Sequence, residues 1–448
     1  MNSSDRAMMN EDPRVILDRS PMSRMQVAAV AMCIMLTALD GFDVLSISFA
    51  APGIADEWGI NRAALGIVLS MELIGMAFGS VLIGGLADRF GRRPAILGCL
   101  GLMTVGMFLA AMAGNVITLS IYRFGTGLGI GGMLASTSAM AAEFSNAKRR
   151  NFSVILMAGG YPFGILIGGT FASMLLASFD WRSVFVLGGC ITAVFIPLVW
   201  WLLPESISYL MHRRPGNAVE RINRTLKRMG HAVISRLPDL PETTEQARGG
   251  IVALFSPKLA RTTILLTAGY FGHIMTFYFL VKWIPKLVAD MGYAPSLAGS
   301  VLVWTSAGGA VGCVLIGFLA LRFNVRKLVI GSLILAAGCV AWFGQGHEEL
   351  ATLSLIGAIA GFTTNAAVVG TYALLARSFP TALRASGTGF GIGVGRGGSV
   401  VGPVIAGFLF QANFTLSTVA VLLSMGSILA AILFAFLPPP PQEGAAPD

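Results

Sequence analysis

Charge is scarce in this chain. Only 12% of its 448 residues are charged, about half the share that a water-facing globular surface carries, so a soluble fold is excluded. Four histidines and five cysteines leave little material for a metal centre. Cys33, Cys99, Cys190, Cys313 and Cys339 each lie alone in an apolar run, with no CxxC and no ligand spacing, and read as small packing residues. No Walker motif, HExxH or GxSxG occurs, which disfavours an ATP-driven pump. Nor is there a nucleophile–base or metal cluster, so no enzyme activity, no cofactor and no metal are expected.

What is abundant is apolar sequence: 55% of the residues are hydrophobic, and 55 are glycine, which lets membrane helices approach closely. A span needs about 20 apolar residues to cross the hydrocarbon. Such runs occur at roughly 26–51, 63–87, 95–113, 117–142, 152–178, 183–203, 262–285, 297–320, 327–345, 350–376, 386–412 and 415–437. The expectation is an all-α membrane protein of twelve transmembrane helices in two six-helix, pseudo-symmetric bundles. Residues 1–25 form an N-terminal segment, 26–203 the first bundle, 204–261 a polar connecting loop, 262–437 the second bundle and 438–448 a Pro-rich tail. The first apolar run is itself a span, not a cleavable signal.

The net charge of +9 records topology rather than a nucleic-acid partner. Lysines and arginines crowd at 89–93, 148–150, 213–228, 258–261, 322–327 and 377–384, in alternate loops between the spans. By the positive-inside rule these loops, both termini included, face the cytoplasm of a bacterial-type inner membrane, with lipid as the surrounding partner.

The two halves repeat. GGLADRFGRRP (84–94) follows the second span and GFLALRFNVRK (317–327) the eighth. Aligning Arg89 with Arg322 sets an offset of 233, which also puts Pro52 on Pro285, Gly66 on Gly299 and Asp40 on His273. Paired repeats of this kind suit a carrier that binds between its halves and rocks about that site, and two halves suffice as a monomer.

Against that apolar background the rare intramembrane charges stand out. TALDGFDVLSISFAAP (37–52) carries Asp40 and Asp43, i and i+3 on one helix face. They lie ~21 and ~26 Å from the start of the first span. An aspartate there costs about 2.5–3.5 kcal/mol on insertion scales, so a pair marks an ion or proton path, the blander alternative being a brace to a neighbouring helix. Arg123, ~9 Å inside the outer end of the fourth span, matches Asp43 in depth. Arg396 sits mid-way along the eleventh span in GIGVGRGGSVVGP, where no second-half span offers a carboxylate. Its planar fork suits an anionic substrate, or else backbone carbonyls.

Other ionisable groups are less pointed. Glu72 lies at mid-depth in the second span; Glu143, at the inner end of the fourth, suits a latch to Arg149 or a loop arginine. His273, in YFGHIMTFYF, could titrate near neutrality but is more simply a satisfied hydrogen-bonder. Its aromatic neighbours Tyr270, Phe271, Phe277, Tyr278 and Phe279 are mostly packing, some able to stack on a ring. GTGLGIGG (125–132) and GYPFGILIGG (160–169) lie inside spans and predict close helix contact, not phosphate binding.

GGLADRFGRRP after the second of twelve spans closely resembles the signature loop of the major facilitator superfamily. YRFGTGLGIGG in the fourth span and LPESISYLMHRRP (203–215) extend the likeness, the latter being similar to the sugar-porter arm. That arm's PETKG-type ending is absent. LDGFDVLSISFAAP resembles the DGxD first span of the aromatic acid:proton symporters, and RFGTGLGIGG and GIGVGRGGS are similar to that family's fourth and eleventh spans. The resemblance implies import of an aromatic carboxylate with protons. Asp40 and Asp43 would be the coupling acids, with Arg396, Arg123, His273 and Tyr278 about the substrate. Asp88, Arg89, Arg93 and Glu143 would form the conformational latch. Two departures are Lys282, where a small polar residue is expected, and Leu321, where the first loop has Asp88. A carrier of another organic acid, or a drug or metabolite efflux antiporter, shares the same frame.

Overall fold

The computed structural model describes residues 12–238, 252–380 and 383–438. The start of the N-terminal segment, the later part of the connecting loop and nearly all of the expected tail lie outside the described residues. Among the described residues every regular element is helical. A short α1 (Pro13–Arg19) precedes six long helices: α2 (Arg24–Trp58), α3 (Arg62–Phe90), α4 (Arg92–Ala111), α5 (Val116–Glu143), α6 (Arg150–Leu175) and α7 (Arg182–Leu202). Two short helices, α8 (Ile207–Arg213) and α9 (Ala218–Met229), follow in the connection. The second half holds α10 (Ala260–Asp290), α11 (Pro295–Arg322), α12 (Val325–Phe343) and α13 (Leu350–Ser378). It ends with α14 (Arg384–Gly395), α15 (Gly397–Gln411) and α16 (Leu416–Ala435).

Eleven of these stretches are long and apolar enough to cross a membrane, α14 and α15 counting together. α5, the fourth of the expected spans, is long enough at 28 residues; Arg123 and the glycines of GTGLGIGG dilute its apolarity. The eleventh span differs from expectation in being two helices that meet at Arg396. α2 differs too, running on through Pro52 to Trp58. Lipid-facing helices tolerate proline where neighbours and local backbone adjustment re-satisfy the freed groups. The outward surface is apolar: Val81, Met112 and Leu321 are each at least 75% exposed, which only a hydrocarbon solvent makes favourable.

Helix starts are set by short polar side chains between spans. Asn61, Asn115, Asn324 and Thr415 accept the backbone N–H of Ala64, Thr118, Lys327 and Thr418, satisfying donors that a helix N-terminus leaves open. At the α3–α4 junction Gly91 has φ +110°, a conformation that a side chain makes costly.

The helices separate into two compact units. The first takes the described residues of Met1–Val44, Ile74–Gly164 and Phe185–Glu242; the second takes those of Leu45–Leu73, Ile165–Val184 and Thr243–Asp448. Each holds close helix pairs built from glycines, one of which the two share. In the first, a Cβ at Gly75 or Gly79 would come 2.2 or 2.1 Å from the carbonyl oxygen of Phe124 or Leu128, fixing α3 on α5. In the second, a Cβ at Gly308 or Gly312 would come 1.9 or 2.2 Å from the carbonyl oxygen of Ala358 or Phe362, fixing α11 on α13. Gly308 and Gly312 are Gly75 and Gly79 displaced by the repeat offset of 233.

The second unit also joins segments from both sequence halves. A Cβ at Gly66 would lie 2.6 Å from the Pro403 carbonyl oxygen, and Ser70 donates to the Val400 carbonyl at 2.9 Å. Arg62 pairs with Asp290 at 3.1 Å. The Arg62 end of α3 is therefore packed directly on α15 and the Asp290 end of α10.

Candidate functional site

In the first unit the site is built on α2. Asp40 and Asp43 are 1% and 0% exposed. A helix carrying two carboxylates can be held this deep only by near neighbours that answer their charge. Arg123 on α5, itself fully buried, donates from Nη2 to the Asp43 backbone carbonyl at 2.8 Å and from Nη1 to the Met107 sulfur at 3.0 Å. Its guanidinium stands over the Phe185 ring, 5.4 Å from the centroid, a further favourable contact for a desolvated cation. The Thr192 hydroxyl lies 2.8 Å from the Gly188 carbonyl oxygen and 3.4 Å from Asp43 Oδ2. Arg123 and Asp43, matched in depth in the sequence, thus approach one another through the Asp43 backbone oxygen.

Close backbone contact fixes where these acids stand. A Cβ at Gly41, between the two aspartates, would fall 2.1 Å from the Tyr161 carbonyl oxygen; one at Gly164 would fall 1.7 Å from that of Ala38. α2 and α6 therefore touch backbone to backbone around Asp40, with GYPFGILIGG supplying the small residues.

The second unit holds Arg396, His273 and Tyr278. Arg396 stands where α14 gives way to α15: its N–H still donates to the Ile392 carbonyl at 2.9 Å, and the Ser399 N–H donates to the Arg396 carbonyl at 2.8 Å. Three tyrosines, Tyr372, Tyr270 and Tyr278, lie within electrostatic reach of its guanidinium. Tyr270 and Tyr372 share a hydroxyl–hydroxyl hydrogen bond of 3.0 Å. The glycine string around Arg396 explains the fit, since a Cβ at Gly395 would meet the Tyr270 ring at 2.2 Å and one at Gly398 the Phe271 carbonyl oxygen at 2.1 Å. An always-charged fork ringed by phenols can bind a carboxylate and still offer polar partners to a ring hydroxyl. His273 is fully buried, with Nδ1 2.9 Å from Ser427 Oγ and Nε2 3.0 Å from the Thr364 carbonyl oxygen. It ties α10 to α16 and α13.

A separate groove of about 800 Å³ runs along α10, α14 and α16 past Phe255, Thr267, Phe271, Phe390 and Leu422. Among the described residues its lining is apolar apart from Thr263 and Thr267.

The loop residues gather at the α3–α4 turn. Glu143 accepts from Ser206 Oγ at 2.6 Å and the Ser208 N–H at 2.9 Å, with Arg92 Nη1 at 3.8 Å. The expected partner class, a loop arginine, is present, and it is Arg92. The Asp88 carbonyl accepts from Arg213 Nε at 3.1 Å, and that of Arg89 from the Tyr209 hydroxyl at 3.3 Å. Arg93 donates to the Trp200 carbonyl and covers the Trp200 ring at 5.1 Å. The centre of this cluster is Glu205, which is not among the residues expected from the sequence. Its Oε1 accepts the N–H groups of Arg92, Arg93 and Ser206 at 2.9, 3.2 and 2.9 Å, capping α4. Burial pushes its carboxyl above the ordinary carboxylate range, against those three donors. The PES of LPESISYLMHRRP was the available signal.

One buried pair lay outside the expected site. Glu72 on α3 and Lys282 on α10, each fully buried, form an ion pair at 3.6 Å inside the second unit.

Comparison with known proteins agrees with this architecture. The family model described as Major Facilitator Superfamily matches residues 33–346 and 266–448. The 4-hydroxybenzoate transporter PcaK of Pseudomonas aeruginosa is 33% identical over 423 residues, 94% of each chain. The gallate transporter of Pseudomonas putida is 29% identical over 418 residues, 93% of this chain and 92% of that one. Among solved structures, the inward-open xylose transporter XylE from E. coli superposes with a TM-score of 0.71 at 19% identity, over 94% of this chain and 98% of that one; this likeness concerns the fold.

Proposed function

Because the chain belongs to the Major Facilitator Superfamily, we propose that it is a proton-coupled importer of a small aromatic carboxylate of the hydroxybenzoate kind. It works by alternating access in a bacterial-type cytoplasmic membrane, as a monomer with both termini cytoplasmic. The observation that carries the reading is the doubly buried Asp40–Asp43 pair backed by Arg123, in a chain similar along 94% of its length to a 4-hydroxybenzoate transporter.

In this reading Asp40 and Asp43 take up protons from the outer side. Both carboxyls are buried, and protonation removes the cost of holding a charge in an apolar span. Arg123 fixes the segment that bears them. Arg396 binds the substrate carboxylate, and Tyr278, Tyr270 and Tyr372 contact the ring and its hydroxyl. His273, both ring nitrogens engaged, keeps α10 in position behind them. Neutralised acids remove the penalty for closing the outer side, and the lower proton activity inside then favours release. Asp88, Arg89, Arg93 and Glu143, organised by Glu205, form the conformational latch carried on the first half.

One proton carried with one monoanion moves no net charge, so only the pH gradient contributes, about 1.4 kcal/mol per unit. A second proton would add about 2.3 kcal/mol per 100 mV of membrane potential. The test is uptake of radiolabelled hydroxybenzoates by cells expressing the wild type or Asp43→Asn, at two external pH values, with and without a protonophore. Accumulation that is greater at low pH, collapses with the protonophore and is abolished in a well-expressed Asp43→Asn is expected. Normal accumulation by that variant would sink the coupling scheme. Failure of the wild type to accumulate any aromatic acid would point to an aliphatic acid or to efflux.

A further inference from the structure

Every charge in the Glu72–Lys282 pair costs solvation energy inside a membrane, and replacing such a pair by apolar residues is often neutral or stabilising. Its position suggests why it is there. Lys282 belongs to a file of cations on one stripe of α10. Lys286, one helical turn nearer the Asp290 end, contacts Asp290 at 2.6 Å and Asp56 at 3.9 Å. Lys282 comes next, held by Glu72 at 3.6 Å. Tyr278, a further turn along, is within electrostatic reach of Arg396. Residues four apart lie on one helix face about 6 Å from each other along the axis. Under the orientation proposed above, the Asp290 end is the outer end, so the file leads from the outer surface toward Arg396.

Each cation of the file is answered by an acid from a different place. Asp56 and Glu72 come from α2 and α3 in the first sequence half, and Asp290 comes from α10 itself. Around Glu72 the contact is tight: Ser70, two residues earlier, donates to the Val400 carbonyl at 2.9 Å, and Gly66 faces the Pro403 carbonyl. Where α3 is packed on α10 and α15 in this way, Glu72 occupies Lys282. Moving α3 away on opening would withdraw that carboxylate from the ammonium and make room beside it for another anion.

We propose that Lys282 is a substrate-capturing residue, an anion relay whose partner is Glu72 while the outer side is closed and the carboxylate of the entering substrate when it opens. The inference rests on the proposed import of a carboxylate and adds a binding residue on the approach to Arg396. It gives Glu72 a role as well: it reclaims Lys282 after the substrate has passed to Arg396, and so favours closure behind it.

The test is the kinetics of radiolabelled 4-hydroxybenzoate uptake by proteoliposomes holding the wild type, Lys282→Arg, Lys282→Gln or Glu72→Gln/Lys282→Gln. The double variant buries no lone charge, so it remains informative if Lys282→Gln alone fails to fold. The relay requires KM to rise by about tenfold to a hundredfold in Lys282→Gln and in the double variant, the usual effect of losing one charge-assisted hydrogen bond. Lys282→Arg should recover most of that loss. Wild-type KM in the double variant would overturn the proposal and leave a purely structural ion pair. Wild-type protein that takes up no aromatic carboxylate would refute the import reading, and the relay with it; wild-type uptake with an unaltered double variant refutes the relay alone.

Discussion

Gly164→Ala is the smallest change that should disturb the acid pair without touching it. The new Cβ would be built 1.7 Å from the Ala38 carbonyl oxygen, and side-chain carbons essentially never come within 3.0 Å of such an atom. α2 and α6 must therefore part locally by about 1.3 Å, the difference of those two distances. The obstacle is backbone on a helix rather than the tip of a side chain, so no rotamer change relieves it. Overpacking of this kind costs about 1–3 kcal/mol, sometimes more. Ala38 is two residues from Asp40 and five from Asp43, and the 2.8 Å bond from Arg123 to the Asp43 carbonyl has little slack against such a shift. The assay pairs melting temperature in detergent with uptake per folded molecule. Gly159→Ala, on the same helix with nothing within 4 Å of its Cβ, is the matched control and should stay within about 0.5 kcal/mol of the wild type. Gly164→Ala should melt well below the control and transport less per folded molecule. If the two variants behave alike, α2 and α6 do not meet as described and the fixed placement of Asp40 is wrong.

Glu205→Ala removes the acceptor shared by three backbone N–H groups and should lower stability by about 1–3 kcal/mol, read as earlier thermal unfolding in detergent. His231, whose Nε2 lies 2.9 Å from Gln26 Oε1, is held below its usual pKa by burial. Its docked form therefore favours the neutral ring, with its full contribution present above about pH 6.5 and declining as pH falls through that value and below. Hydrogen exchange in α9 should accordingly quicken on acidification over that window, and His231→Gln should flatten the dependence.

How far the sequence could lead depends on the range over which each feature acts. Asp40 and Asp43 were legible because two carboxylates in an apolar run admit few explanations. Arg123 was legible because depth along a helix is simple counting. The repeat offset of 233 extends to the glycine pairs that lock α3 to α5 and α11 to α13, since spacing within a repeat survives folding. Glu205 was not legible: what it caps is more than a hundred residues earlier in the chain, and a carboxylate next to Pro204 reads as an ordinary loop residue. Glu72 and Lys282 were each noticed singly, yet nothing in either local pattern joins residues 210 positions apart. The break at Arg396 has no proline to announce it; a run of glycines weakens a helix without saying where it will give way.

The connection after α7 has a practical consequence for following motion in this molecule. Its contacts run back to the first sequence half: Ser206 to Glu143, Tyr209 to Arg89, Arg213 to Asp88, Arg228 to Trp201 and His231 to Gln26. A fluorophore or spin label on α8 or α9 therefore rides with that half and reports nothing of the second. Paired with a label near Arg326, which donates to the Phe434 carbonyl at 2.7 Å, it becomes a ruler with one foot on each half. A single pair of labels at these two places would then follow the transport cycle in time.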